Sequence, residues 1–304
     1  MSTTTRSALT TAAAPMLWGS TYLVTTELLP ADRPLLTGTL RALPAGIALA
    51  LVTRRRPAGV WWGRSLVLGT FNIGGFFALL FVAAYRLPGG VAATLGAIQP
   101  LIAAGLAVVV LGQPMRVRTS IAGALGVVGV SLLVLRGDAG LDPVGIVAGF
   151  AGATSMAAGV VLTKRWQPPV PLLAFTSWQL IAGGLVLAPI ALVVEGPPPH
   201  LTTSNLLGYA WLASAGTALA YSLWFRGIAR LPVARVSILG LLSPVVATLL
   251  GWVALDQALT AWQLLGASVV LFAVVLGQRS AAGAQVAAPR RALAPPEGAL
   301  VVRL

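Results

Sequence analysis

The chain has 304 residues, 57% of them apolar and only 9% charged, with a mean hydropathy of +0.90. Soluble domains carry roughly 25% charged residues, so these values exclude a soluble fold and point to a polytopic membrane protein. With no cysteine and one histidine, His200, the chain has no disulfide, thiolate zinc site, cysteine nucleophile or multi-histidine metal centre; no metal or other cofactor is expected.

A membrane span needs about 20 apolar residues, and on that measure the sequence predicts ten helices. The first covers 9–29, after a short tail over 1–8. Its charged start and small residues look like a signal peptide, but the apolar run continues past Pro15, which favours a retained helix. Helix two covers 34–52 and stops at the Arg54-Arg55-Arg56-Pro57 run. Helix three, 65–84, turns through Arg86-Leu87-Pro88 into helix four, 90–111, and Gln113–Arg118 leads to helix five, 119–136. A polar break at Gly137–Pro143 separates the halves. Helices six to ten follow at 144–163, 171–193, 206–225, 235–255 and 259–277, with Glu195–Asn205 as the longest loop. The Ala-, Pro- and Arg-rich tail over 279–304 reads as disordered.

The net charge of +13 could suggest a nucleic-acid partner, but its distribution follows the positive-inside rule. With both termini cytoplasmic, the inner side holds Arg6, the Arg54–Arg56 run, Arg64, Arg116, Arg118, Lys164, Arg165, Arg226, Arg230, Arg235 and Arg279. The outer side holds only Arg33, Arg86 and Arg136, and six of the seven acids: Glu27, Asp32, Asp138, Asp142, Glu195 and Asp256. The charge is a topology signal, and no nucleic acid is expected to bind.

Landmarks recur at a spacing of 144: Leu87-Pro88 and Leu231-Pro232, Pro100 and Pro244, Gln113 and Gln257. Upstream, Pro30 matches Pro168 and Arg41 matches Gln179, at a spacing of 138. Such periodicity marks a duplication. Two repeats, 9–136 and 144–278, each contain five helices, an odd number that places the second copy upside down. Inverted repeats are a design of secondary transporters, with the substrate near the midplane.

Arg41 is the one charge well inside a span, about 10 Å from the outer end of helix two. A charge at that depth costs ~2.5 kcal/mol or more unless it meets a cavity or a partner. It suits an anionic or carboxylate-bearing substrate, although it could also snorkel or pair with Glu27 or Asp32. Pro100 and Pro244 each remove a backbone donor and are expected to kink their helices as paired hinges, with Gln99 and Ser243 at the same level. Trp18, Ser20 and Thr21 lie mid-span in helix one; Gly19 and the hydroxyls fit close helix contact, while a central tryptophan fits a cavity wall. Asn72, Trp178, Gln179 and Tyr221 complete the cavity candidates, and Trp61, Trp62 and Trp166 sit at the inner interface.

Trp18-Gly19-Ser20-Thr21, Arg41, Trp178-Gln179 and the paired prolines, in two inverted five-helix repeats, resemble the EamA branch of the drug/metabolite transporter superfamily over 9–279. The resemblance implies an all-α permease of the cell (inner) membrane that exports small organic metabolites, such as amino acids or their derivatives, pigments or drugs. The family's acidic residue after helix four is replaced here by Gly112-Gln113, and Leu255-Asp256-Gln257 keeps it only in part. The expected partners are a small-molecule substrate and the lipid bilayer; proton or counter-substrate coupling and homo-oligomerisation both stay open. The competing reading, a membrane-embedded enzyme such as a lipid transferase, needs paired acids, a metal cluster or a nucleophile–base pair that the spans lack.

Overall fold

The computed structural model describes residues 3–87, 89–134, 142–256 and 259–279. The landmarks Pro88 and Gln257, the charges Arg136 and Asp138, and the tail from 280 onward lie outside them. The described residues form helices and no strand. Helix α1 (Thr3–Leu28) begins six residues earlier than 9 and passes through Pro15 unbroken. Helix α2 (Pro34–Thr53) ends on Arg54 in the left-handed conformation. Helices α3 (Trp61–Gly69) and α4 (Gly75–Arg86) are joined without a break by a π turn, Thr70–Gly74. Helices α5 (Gly89–Gly96), α6 (Gln99–Leu111) and α7 (Val117–Val134) complete the first half.

The second half repeats this grammar. It contains α8 (Pro143–Arg165), α9 (Leu172–Val194), α10 (Thr203–Ala213), a π turn at Ser214–Leu219, α11 (Ala220–Arg230), α12 (Val233–Leu239), α13 (Leu242–Leu255) and α14 (Ala261–Arg279). The π turns begin 144 residues apart, at Thr70 and Ser214. The left-handed residues that end α6 and α13, Gly112 and Asp256, keep the same spacing.

Packing follows the same correspondence. α2 lies on α9 and α7 on α14, while α1 packs against α11 and α13 as α8 packs against α4 and α6. Small residues make these seams tight. Gly129 and Gly266 face each other across α7 and α14, where a methyl group at Gly266 would lie 2.6 Å from the Leu133 nitrogen and 2.7 Å from the Gly129 carbonyl oxygen. Without a hydrophobic force between helices in lipid, close backbone approach supplies the dispersion contact that holds such pairs.

Among the described residues, seven helices are long and apolar enough to cross a membrane, and Val117–Leu133 is a shorter apolar one. The chain is therefore a multi-pass membrane protein. α1 and the Thr203–Arg230 run fall outside that set because hydroxyl, glycine, tyrosine and tryptophan residues dilute their apolar content.

Caps explain several helix ends. Asp142 accepts from the Val144 and Gly145 nitrogens at the start of α8, and Thr202 forms a capping box with Asn205 before α10. Glu195, at the end of α9, receives the Leu35 and Leu36 nitrogens at 2.6 and 2.8 Å and so caps α2. A carboxylate there also meets the positive end of the helix dipole.

The prolines behave differently from the expected kinks. Helix four is interrupted at Ala97-Ile98 and helix nine at Gly240-Leu241, and both Pro100 and Pro244 fall in the first turn of the segment that follows. Proline is tolerated there because first-turn nitrogens have no intrahelical acceptor.

Candidate functional site

The site is built around the two π turns. A π turn inserts an extra residue and shifts main-chain groups out of the i→i−4 register, where side chains can reach them. Under the 144-residue spacing Asn72 is the counterpart of Gly216, and both turn a main-chain carbonyl toward the other half of the chain. The Gly216 oxygen accepts from Trp18 Nε1 at 3.1 Å and from Arg41 Nη2 at 2.9 Å. The Asn72 oxygen accepts from the Tyr221 hydroxyl at 3.4 Å.

Arg41 is 6% exposed. Its Nε donates to Thr217 Oγ1 at 3.0 Å, and its guanidinium carbon lies 5.0 Å from the Phe77 ring centre. Neither Glu27 nor Asp32 pairs with it; the one ion pair among the described residues joins Arg86 to Asp142. Two neutral acceptors and a ring face therefore hold a buried cation without a counter-charge. Hydrogen bonds to a charged group contribute about 1.5–3 kcal/mol each, enough to offset an insertion cost of similar size.

Gln179, the repeat partner of Arg41, makes the mirror contact. Its Oε1 accepts from Asn72 Nδ2 at 2.8 Å, and the same Nδ2 reaches Thr163 Oγ1 at 3.1 Å. Thus each half sends one side chain from its second helix to the π turn of the other: Arg41 to Gly216–Thr217, and Gln179 to Asn72. Asn72 and Gln179 are both fully buried, yet Asn72 Oδ1, Gln179 Nε2 and Thr21 Oγ1 have no partner among the described residues. Buried polar atoms left unpaired cost about 1–3 kcal/mol each and are uncommon enough to require an explanation.

Aromatic rings wall this layer. Trp18 lies 5.2 Å from Tyr221 and 5.1 Å from Trp224, and Tyr221 continues to Phe225, Phe175 and Trp61 at 5.7, 5.7 and 6.1 Å.

Other candidates lie elsewhere. Trp178 is not in the layer: it packs on Trp61 and donates to the Arg55 carbonyl at 2.8 Å, near the arginine run that ends α2. Ser20 takes a bond from Trp211 Nε1 at 3.1 Å, on the rim of α1. Gln99 reaches Ser237 at 3.5 Å, beside the interruption of helix nine. Ser243 contributes main chain: its carbonyl oxygen would lie 2.9 Å from a methyl group at Gly19, so Gly19 serves the close approach of α1 to α13.

Sequence reasoning missed Gly216, Thr217, Phe77 and Thr163, although the 144-residue spacing already pairs Asn72 with Gly216 and Phe77 with Tyr221. It also placed Arg235 in an inner loop. Arg235 instead lies on α12, 8% exposed, and donates to the Gln278 carbonyl while Gln278 Nε2 returns a bond to the Arg235 oxygen at 2.9 Å. A basic residue beside a helix end is hard to distinguish by sequence from a solvated loop charge.

Two stretches, 5–135 and 143–277, match the EamA-like transporter family. The chain belongs to that family. A relative of this EamA member, the protein named PecM of Dickeya dadantii, is 47% identical over 87% of the chain and 90% of its own length. The "Probable amino-acid metabolite efflux pump" of Salmonella typhimurium is 29% identical over 84% of the chain and 89% of its length. A solved crystal structure superposes with a TM-score of 0.79 at 21% identity, covering 92% of the chain and 99% of that structure, which establishes the shared fold. The family is one of transporters and the Salmonella relative is named as an efflux pump, so the buried layer belongs to a membrane transporter.

Proposed function

We propose that this EamA-family chain is an inner-membrane secondary transporter that exports small organic metabolites bearing an acidic group, by alternating access. Ten spans arranged as two inverted five-helix repeats, with both termini cytoplasmic, would present the Arg41 layer near the midplane. Export is taken from the Salmonella relative named as an efflux pump.

The carrying observation is the exchanged pair of contacts at the π turns. Two near-equivalent halves, each anchored to the other at the same point, supply two conformations of similar energy. Their inequality supplies chemistry: one anchor is a guanidinium with no counter-charge, the other an amide with an unpaired nitrogen. A carboxylate entering between them would gain a charge-assisted bond from Arg41 and a donor from Gln179. Trp18, Tyr221 and Trp224 would flank the organic part, and the breaks before Pro100 and Pro244 would act as the hinges.

The test is comparative profiling of the medium from cells expressing the wild-type chain or Arg41→Ala at matched membrane levels. An acidic metabolite exported by the first and lost with the second is expected. Equal export would sink the assignment of Arg41. Because the chain has no native cysteine, a single cysteine at position 55 should resist impermeant thiol reagents in intact cells; labelling from outside would invert the orientation.

A further inference from the structure

At the end of the bundle where α1 begins and α11 ends there is a cleft of about 530 Å³, separate from the Arg41 layer and lined by Arg6, Ser7, Thr10, Arg226, Arg230 and Leu231 among others. Three guanidiniums enter it, and no carboxylate is among the lining residues. None of the three has an acidic partner among the described residues, where the only ion pair is Arg86–Asp142. The Thr10 hydroxyl is turned back to the Arg6 carbonyl at 3.0 Å, while the charged donors lining the cleft are the three arginines. Three like charges gathered around one concavity repel each other until an anion joins them, and arginine forks match phosphate oxygens.

The surroundings indicate which phosphate. From Arg6, the exposed apolar residues Leu9 (58%) and Met16 (50%) climb α1 at helical spacing. One π turn and α11 carry Leu219 (51% exposed) seven residues before Arg226. Trp211 Nε1 bonds Ser20 Oγ at 3.1 Å, so this face of the α10–α11 run lies along α1. Two apolar tracks thus rise from one basic cleft. We infer that the cleft holds the phosphodiester headgroup of an anionic phospholipid, with its acyl chains on the Leu9–Met16 and Leu219 tracks. Placing that lipid in the cytoplasmic leaflet rests on the proposed orientation; the binding itself needs only the membrane location.

The full chain purified in detergent is titrated with phosphatidylglycerol, phosphatidylcholine or inorganic phosphate, with retention read by native mass spectrometry and stability by thermal unfolding. Retention and stabilisation by phosphatidylglycerol alone are expected. Losing three surface cations at about fivefold each should weaken its retention roughly 125-fold in the triple variant Arg6→Gln, Arg226→Gln, Arg230→Gln, while the corresponding triple lysine variant keeps most of it. Equal retention of phosphatidylcholine, unchanged retention by the triple glutamine variant, or stabilisation by inorganic phosphate matching that of the lipid would each overturn the inference. If the triple variant does not fold, the lipid comparison on the wild-type chain and on Arg226→Gln alone decides. Arg41→Ala should retain phosphatidylglycerol normally, and a wild-type chain that binds the lipid but exports no acidic metabolite counts against the transport reading only.

Discussion

The closest approach within the buried layer is at Gly159, on α8, against Asn72. A methyl group there would lie 2.2 Å from Asn72 Oδ1, 2.6 Å from its Cγ and 3.1 Å from its main-chain nitrogen, where ordinary contact begins at 3.4 Å. In Gly159→Ala the Asn72 side chain must therefore retreat by roughly 1 Å, out of reach of Gln179 Oε1 and Thr163 Oγ1, which it now meets at 2.8 and 3.1 Å. Two bonds at about 1 kcal/mol each, together with a second stranded atom on Gln179, put the destabilisation at about 2–4 kcal/mol. If the clash with the Asn72 side chain is the cause, most of that cost disappears in an Asn72→Ala background, leaving ~0.5 kcal/mol for the main-chain contact. Denaturant unfolding of the four proteins of this cycle in detergent measures the coupling. Additivity within about 0.5 kcal/mol would show that Gly159 acts through something other than Asn72.

Further outcomes follow from single contacts. Gly266→Ala should sharply lower the yield of folded protein, because the Leu133 nitrogen and Gly129 carbonyl that meet the new methyl are main chain and cannot turn aside; Gly105→Ala, with nothing within 4 Å, is the neutral control. Glu195→Ala should cost about 1–2 kcal/mol and raise hydrogen exchange at Leu35 and Leu36, whose nitrogens it now receives; unchanged exchange would remove its capping role. Asp142 is held below the ordinary carboxylate range, first by the Val144 nitrogen and then by the Gly145 nitrogen and the Arg86 guanidinium, against a smaller desolvation effect. Its stabilisation is present above the unfolded value of about 3.9 and is lost as pH falls through the lower folded value. The gap in unfolding midpoint between wild type and Asp142→Asn should therefore be constant from about pH 7 to 5 and close on further acidification; a gap persisting in acid would refute the assignment.

The helical membrane fold was legible because apolar runs, arginine-rich ends and a 144-residue period are properties of the chain itself. Arg41 was legible for the same reason: one cation in an apolar run stands out without a structure. Its partner was not, because a main-chain carbonyl such as that of Gly216 has no sequence signature and the π turn that turns it outward has none either. Trp178 misled for the opposite reason. An indole beside Gln179 reads as part of the same layer, yet one residue is a turn of about 100° around α9, and on that face its N–H finds the end of α2. Proline was read as a kink because position within a helix was inferred from run length; the interruptions at Ala97-Ile98 and Gly240-Leu241 leave the run unbroken in hydropathy.

The α2–α9 pair is fastened at both ends and along its length. Glu195 closes one end onto Leu35 and Leu36, Trp178 closes the other onto Arg55, and between them Gly46 and Gly184 admit Ile181 and Leu43 so closely that no methyl group fits. Since α2 and α9 correspond to each other in the repeat, the pair lies where an axis relating the two halves would run. On the alternating-access reading proposed above, the pair would serve as a pillar, and access to the layer would change by the α1–α11–α13 and α8–α4–α6 groups swinging about it. A cross-link from α2 to α9 should leave transport running, whereas one from α1 to α13, beside Gly19 and Val246, should arrest it.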